Sequence, residues 1–316
     1  MKLFLSLFLA LIAAYALSCF LTIAVNPEVA FWNEANSRRQ TEIAQIRKNQ
    51  STKPVIFFTG GSSTAFSIDP KIIEDATGHP TINLGLPVSC GARYLLHQAL
   101  REAQSGDIII VGTEPDLLTF PDQVAGPSKL AFALEACRGN FTESAGGTTF
   151  GESVTIPQYL TLTRPGPDYL ITLAGRYLTG KGYRYKEADI KYRGLIQTPV
   201  RNKSIMPGGS HEVTALHPEG RELLETFAAA AKQKGVRLAY SMPWSYTATE
   251  HLTHNRANRR KILAEIHTII PVLEDGYSGA MDNIDNFADG ARHLSDKGSA
   301  TRSKALVAAL KSLLHP

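Results

Sequence analysis

Cysteine is scarce in this chain, with three in 316 residues, at positions 19, 90 and 137. So few exclude a disulfide-framework miniprotein, and their spacing fits no zinc site. Charge of one sign is also lacking. The 33 Lys and Arg against 29 Asp and Glu give a formal net charge of +4, too small and too scattered for a nucleic-acid binder. The densest basic spot (Arg256, Arg259, Arg260, Lys261) reads as a solvated helix face. No collagen period, heptad array or solenoid repeat occurs, which excludes the structural-repeat classes. No Gly-x-Gly-x-x-Gly follows an expected strand, and no Gly-Lys-Ser/Thr closes a Gly-rich loop. Dinucleotide and P-loop binding therefore lack their motifs. His251 and His254 are too close for helical metal ligands, and no metal or organic cofactor is expected.

Uncharged apolar runs are limited to one long example. Leu3 to Val25 is 23 residues without a charge. About 20 apolar residues cross a bilayer core, so residues 1–26 are expected to be a signal anchor, a transmembrane helix. A cleaved signal peptide is the competing reading. Its apolar stretch is usually about 7–15 residues, whereas this run continues past Ala14-Tyr15-Ala16. Ala16 to Cys19 resembles a lipoprotein box only weakly. Arg38, Arg39, Arg47 and Lys48 follow the run, and only Lys2 precedes it. A polar domain of this size translocates largely regardless of charge. The body is therefore expected outside the cytoplasm, periplasmic or on the cell surface. In an oxidising compartment, a Cys90–Cys137 disulfide and two buried thiols are both open readings.

Residues 27–316 read as one α/β domain. Short apolar runs at Pro54–Thr59, Thr81–Gly85, Asp107–Val111, Val236–Ser241 and Ile269–Leu273 suit buried strands. Helical patterns lie over Asn33–Asn49, Ala92–Ala103, Glu219–Lys234, Asn258–Thr268 and Ser299–Leu314. Such alternation implies a three-layer fold, a parallel sheet with helices on both faces. Residues 121–218 are rich in Gly, Pro, Thr and Tyr and poorly periodic. They read as an irregular insertion or cap.

Sites in such sheets form at the carboxyl ends of strands. Three segments belong there. In Thr59-Gly60-Gly61-Ser62-Ser63-Thr64, two glycines permit a sharp turn, and a hydroxyl after it sits at a helix start. A plain strand–turn–helix link capped by Ser is the alternative. In Asn83-Leu84-Gly85-Leu86, a Gly beyond a strand can bring its N–H to a reacting oxygen, or simply make a tight turn. In the segment from Phe287 to Gly298, Asp289 and His293 stand four apart, on one face if the segment is helical. A hydroxyl nucleophile needs a base, and the base needs an orienting carboxylate.

The joint pattern resembles the SGNH hydrolase superfamily, also called GDSL-like. Gly60-Gly61-Ser62 matches the first block of that family, with Ser62 in the nucleophile position. Gly85 matches the second, and Asp289, His293, Leu294 and Gly298 look like the last. With its anchor, the chain most resembles the membrane-anchored cell-envelope branch, DltD-like proteins and those of alginate acetylation. The resemblance implies an SGNH or flavodoxin-like fold. It also implies a serine esterase or O-acyltransferase acting on acyl, above all acetyl, esters. The substrate would be an acylated polysaccharide or a small ester, and a membrane-bound O-acyltransferase the expected partner.

Two features depart from the family. The third block usually carries an oxyanion-donating Asn, whereas this chain has Gly112-Thr113-Glu114-Pro115-Asp116. An ionised Glu114 would repel an oxyanion, and losing one donor typically costs about 10²–10³ in rate. Three residues, where two are usual, separate Asp289 from His293. Ser63 could replace Ser62 if the turn shifts by one. The expectation is that Ser62 attacks, His293 takes its proton, Asp289 fixes the imidazole, and the N–H groups of Ser62 and Gly85 hold the oxyanion. An aromatic pocket near Trp244 and Tyr246 is expected to take the acceptor. The alternative, supported by Glu114, is an inactive binding or assembly protein of an envelope polysaccharide system.

Overall fold

The computed structural model describes residues 2–24, 27–49, 53–120, 174–175, 178–179, 183–200 and 205–314. The chain divides into two compact units, Met1–Ala35 with Pro127–Glu187, and Asn36–Gly126 with Ala188–Pro316. The boundary expected at residue 26 falls inside the first unit. Most of the expected insertion, 121–218, lies outside the described residues, as does Cys137 and with it the pairing of Cys90.

In the first unit, α1 (Lys2–Ala24) realises the expected helix. Its large apolar side chains from Leu3 to Leu17 are 49–76% exposed. They occupy every face of the helix, not one stripe. Among the described residues, no helix is long and apolar enough to cross a membrane. The expected helix is therefore present, but the expected span is not found.

The second unit is mixed α/β. Its strands β1 (Ile56–Thr59), β2 (Thr81–Asn83), β3 (Ile108–Val111) and β4 (Arg237–Tyr240) form one parallel sheet in the order β2-β1-β3-β4. Every residue of β1 and β3 is buried, as expected of apolar runs covered on both faces. Alternation sends Ile56, Phe58, Ile108, Ile110 and Ala239 to one face. There they pack with Ile73 of α4 (Pro70–Thr77) and with Leu306 and Leu310 of α9 (Asp296–Leu314). Phe57 and Ile109 are buried on the other face, where the Thr59 hydroxyl donates to Leu95 O of α5 (Gly91–Glu102) at 2.8 Å. The helix α7 (Pro218–Lys234) also packs against β4 and α5.

Local chemistry explains the boundaries. Asp69 caps α4 by accepting from the Lys71 and Ile72 N–H groups, with Pro70 in the first turn. Gly235 ends α7 in the left-handed region at φ 75°. Three expectations shift. The strand over Ile269–Leu273 shrinks to a single parallel bridge, Tyr240 to Val272. The helix expected from Asn258 begins at Leu252, as α8 (Leu252–His267). The last helix begins at Asp296, before Ser299, because the Ser295 hydroxyl accepts from Gly298 N at 3.2 Å.

Two small pairings complete this unit. Strands β5 (Ser245–Tyr246) and β6 (Ala280–Met281) run parallel, and β7 (Phe287–Gly290) and β8 (His293–Leu294) form an antiparallel hairpin. A satellite core of Trp244, Met281, Phe287 and Leu294 lies beneath them.

Candidate active site

The sheet order places its switch point between β1 and β3, since the chain leaves β1 toward β2 and returns on the other side as β3. The crevice beyond the carboxyl ends of these two strands is where open α/β sheets place ligands. The Gly60-Gly61-Ser62 turn leaves β1 there, and Gly112-Thr113-Glu114 leaves β3.

Ser62 is the first residue of α3 (Ser62–Ser67), with Gly61 at the cap position. The Ser62 Oγ lies 3.0 Å from His293 Nε2, and His293 Nδ1 lies 2.9 Å from Asp289 Oδ1. The two segments are 231 residues apart in sequence. Asp289 and His293 do not share a helix face. They are strands of a hairpin in which Gly290 pairs with His293 and Phe287 with Leu294. Of the three intervening residues, Gly290 belongs to β7, and Ala291 and Arg292 form the turn. The Asp289 side chain is 7% exposed and that of His293 18%, so the pair is largely desolvated while the serine side stays reachable. The imidazole also stacks on Phe66, with ring centroids 4.2 Å apart and planes 14° apart. Phe66 stands four residues after Ser62 on the same short helix, so α3 carries both Ser62 and the ring that stacks on His293.

Ser63 is not brought to the histidine. It is fully buried, and its N–H donates to Glu114 Oε1 at 3.0 Å. Its Oγ has no hydrogen-bond partner among the described residues, so a turn shifted to Ser63 does not occur. Gly85 is a second correction. Its N–H donates to Asn83 Oδ1 at 3.0 Å and is therefore not free for an oxyanion. A Cβ at Gly85 would overlap the backbone of Ala65. The reason for glycine here is close packing of this loop on α3. Asn83, not singled out above, explains the loop. Its amide nitrogen donates to Thr64 O and Ile68 O at 2.9 and 3.0 Å, tying β2 to α3. The signal was an Asn followed two residues later by Gly, a side-chain-to-backbone turn.

Glu114 is 1% exposed. Its carboxylate accepts from Gly61 N at 3.1 Å and from Ser63 N at 3.0 Å. Both oxygens are turned to the amides flanking Ser62, so Glu114 serves the turn and supplies no donor to an oxyanion. The Ser62 N–H has no partner among the described residues, which leaves it as the candidate oxyanion donor. Behind this loop, the Tyr240 hydroxyl donates to Thr113 O at 2.8 Å. Burial, with the nearby Glu114 charge, pushes the Tyr240 hydroxyl well above its usual range, so it remains a donor.

Arg292, next to His293, pairs with Asp116 at the start of α6 (Asp116–Thr119). Trp244 is fully buried, and its Nε1 donates to Asp275. It supports the hairpin from below and is not the wall of an acceptor pocket. A cavity of about 620 Å³ lies elsewhere, lined by Met242, Arg260, His267 and Asp275, and none of Ser62, Asp289 or His293 lines it. Among the described residues no cluster of His, Cys, Asp and Glu could hold a metal ion.

A hydroxyl, a base and an orienting carboxylate in this order, beside a free N–H, can attack a carbonyl and hold the resulting charge. No protein-family model matches this sequence, and no curated protein matches it.

Proposed function

We propose that this chain is a serine-dependent acyl-ester enzyme, a hydrolase or O-acyltransferase working at a cell-envelope membrane. The observation that carries the proposal is the Ser62–His293–Asp289 relay, at 3.0 and 2.9 Å. These lengths are within reach of direct proton transfer. With Asp289 accepting from Nδ1–H, the Nε2 lone pair is free to take the Ser62 proton. Ser62 Oγ then bonds to the ester carbonyl carbon, and the oxyanion is met by the Ser62 N–H. Collapse releases the alcohol, which takes the proton from Nε2, and leaves an acyl-serine. Water or a sugar hydroxyl gives its proton to His293 and bonds to the acyl carbon, and Ser62 Oγ leaves and takes that proton back, restoring the serine.

The resemblance to SGNH hydrolases and the strand order, which is that of flavodoxin-like sheets, both favour this reading. Membrane attachment is proposed from the uncharged run Leu3–Val25 and the all-round apolar surface of α1. An acylated surface polysaccharide as substrate, and a membrane-bound O-acyltransferase as partner, follow from the resemblance alone. The scaffold alternative still rests on Glu114, which accepts from Gly61 N and Ser63 N and supplies no donor to an oxyanion.

The test compares the full chain in detergent with its Ser62→Ala variant on a small acetyl ester. The variant is expected to lose about 10⁴-fold or more in kcat with its melting temperature unchanged. Undiminished turnover by Ser62→Ala would overturn the reading.

A further inference from the structure

We propose that Glu114 is a positioning residue that holds the nucleophile turn by clamping the amides on either side of Ser62. The inference rests on the serine-ester reading above. Its carboxylate reaches across the crevice between the ends of β1 and β3 and accepts from Gly61 N and Ser63 N, one oxygen to each. Its own carbonyl accepts from Leu117 N of α6 at 3.0 Å. The side chain ties the two strand ends together.

The fit is tight. A Cβ on Gly61 would overlap both carboxylate oxygens, so the turn accommodates the clamp only with glycine at that position. A hydrogen bond to an ionised carboxylate is stronger than a neutral one, more so when water is excluded. At 1% exposure, water does not compete for Glu114. The two amides it takes flank the one it leaves, that of Ser62. The clamp thereby fixes where Ser62 Oγ stands relative to His293, and which N–H remains for the oxyanion. Glutamine cannot substitute for it. One amide oxygen can accept, but its NH₂ would face the second backbone N–H, donor against donor.

The experiment follows inactivation of the full chain in detergent by a fluorophosphonate, for wild type and Glu114→Gln. Displacement of the nucleophile by about 1 Å costs on the order of 10²-fold. The maximal inactivation rate of E114Q is expected to fall about 10- to 100-fold, with the half-saturating probe concentration changed less than about threefold. A loss confined to probe affinity, or no loss in a wild type that reacts, overturns this inference and leaves the serine reading standing. A wild type that does not react overturns both. Should E114Q fail to fold, amide ¹H shifts of wild type decide. Gly61 and Ser63 are expected downfield of Ser62, and a downfield shift absent from both overturns the clamp.

Discussion

At the residue scale, the proposed chemistry rests on three side chains, each held by a different neighbour. Ser62 is fixed by the Gly61 turn and the amides around it, His293 by Asp289 and the Phe66 ring, and Asp289 by the hairpin. Asp289→Asn keeps the size of the side chain but replaces one carboxylate oxygen with an NH₂ donor, which favours the wrong tautomer. Turnover is expected to fall by about 10⁴-fold while folding is retained. A ratio of wild-type to variant kcat below about ten would show that Asp289 does not orient the base. Ser62, Asp289 and His293 were legible because their types and order are those a nucleophilic triad requires. The roles of Glu114 and Gly85 were not. Whether a carboxylate faces an oxyanion or two backbone amides is decided by the loop that carries it, and the Gly85 N–H is taken by Asn83, a neighbour two residues away.

At the element scale, the hairpin of β7 and β8 sets the triad geometry, and its support is the satellite core of Trp244, Met281, Phe287 and Leu294. Four-residue spacing suggested a helix face for Asp289 and His293. Gly290 and the short turn make it a hairpin, and a separation of four serves either geometry. Local periodicity could not distinguish them over so few residues. The parallel strands were legible as apolar runs, because burial on both faces leaves no polar alternation to misread. Ile269–Leu273 was overread, since only Val272 pairs. Phe287 is fully buried under the hairpin. Phe287→Ala is expected to destabilise by about 3–5 kcal/mol, read as a lower denaturant midpoint. An unchanged midpoint would remove this core from the account of the site.

At the scale of the whole molecule, the hairpin of β7 and β8, packed on α3, brings a histidine near the carboxyl end of the chain to a serine at the end of β1. That contact spans nearly three-quarters of the sequence, and no local pattern encodes it. The apolar surface of α1 gives a further prediction. The full chain should sediment with membranes and be released by detergent but not by high salt, whereas a chain lacking residues 2–24 should not sediment. Release by salt alone would refute membrane insertion of α1. The central claim is that Ser62 is the nucleophile. Its most direct test is peptide mapping of the fluorophosphonate adduct by mass spectrometry. The account predicts one adduct per chain, on Ser62. An adduct on Ser63 or on another residue, or no adduct on a folded chain, would contradict it.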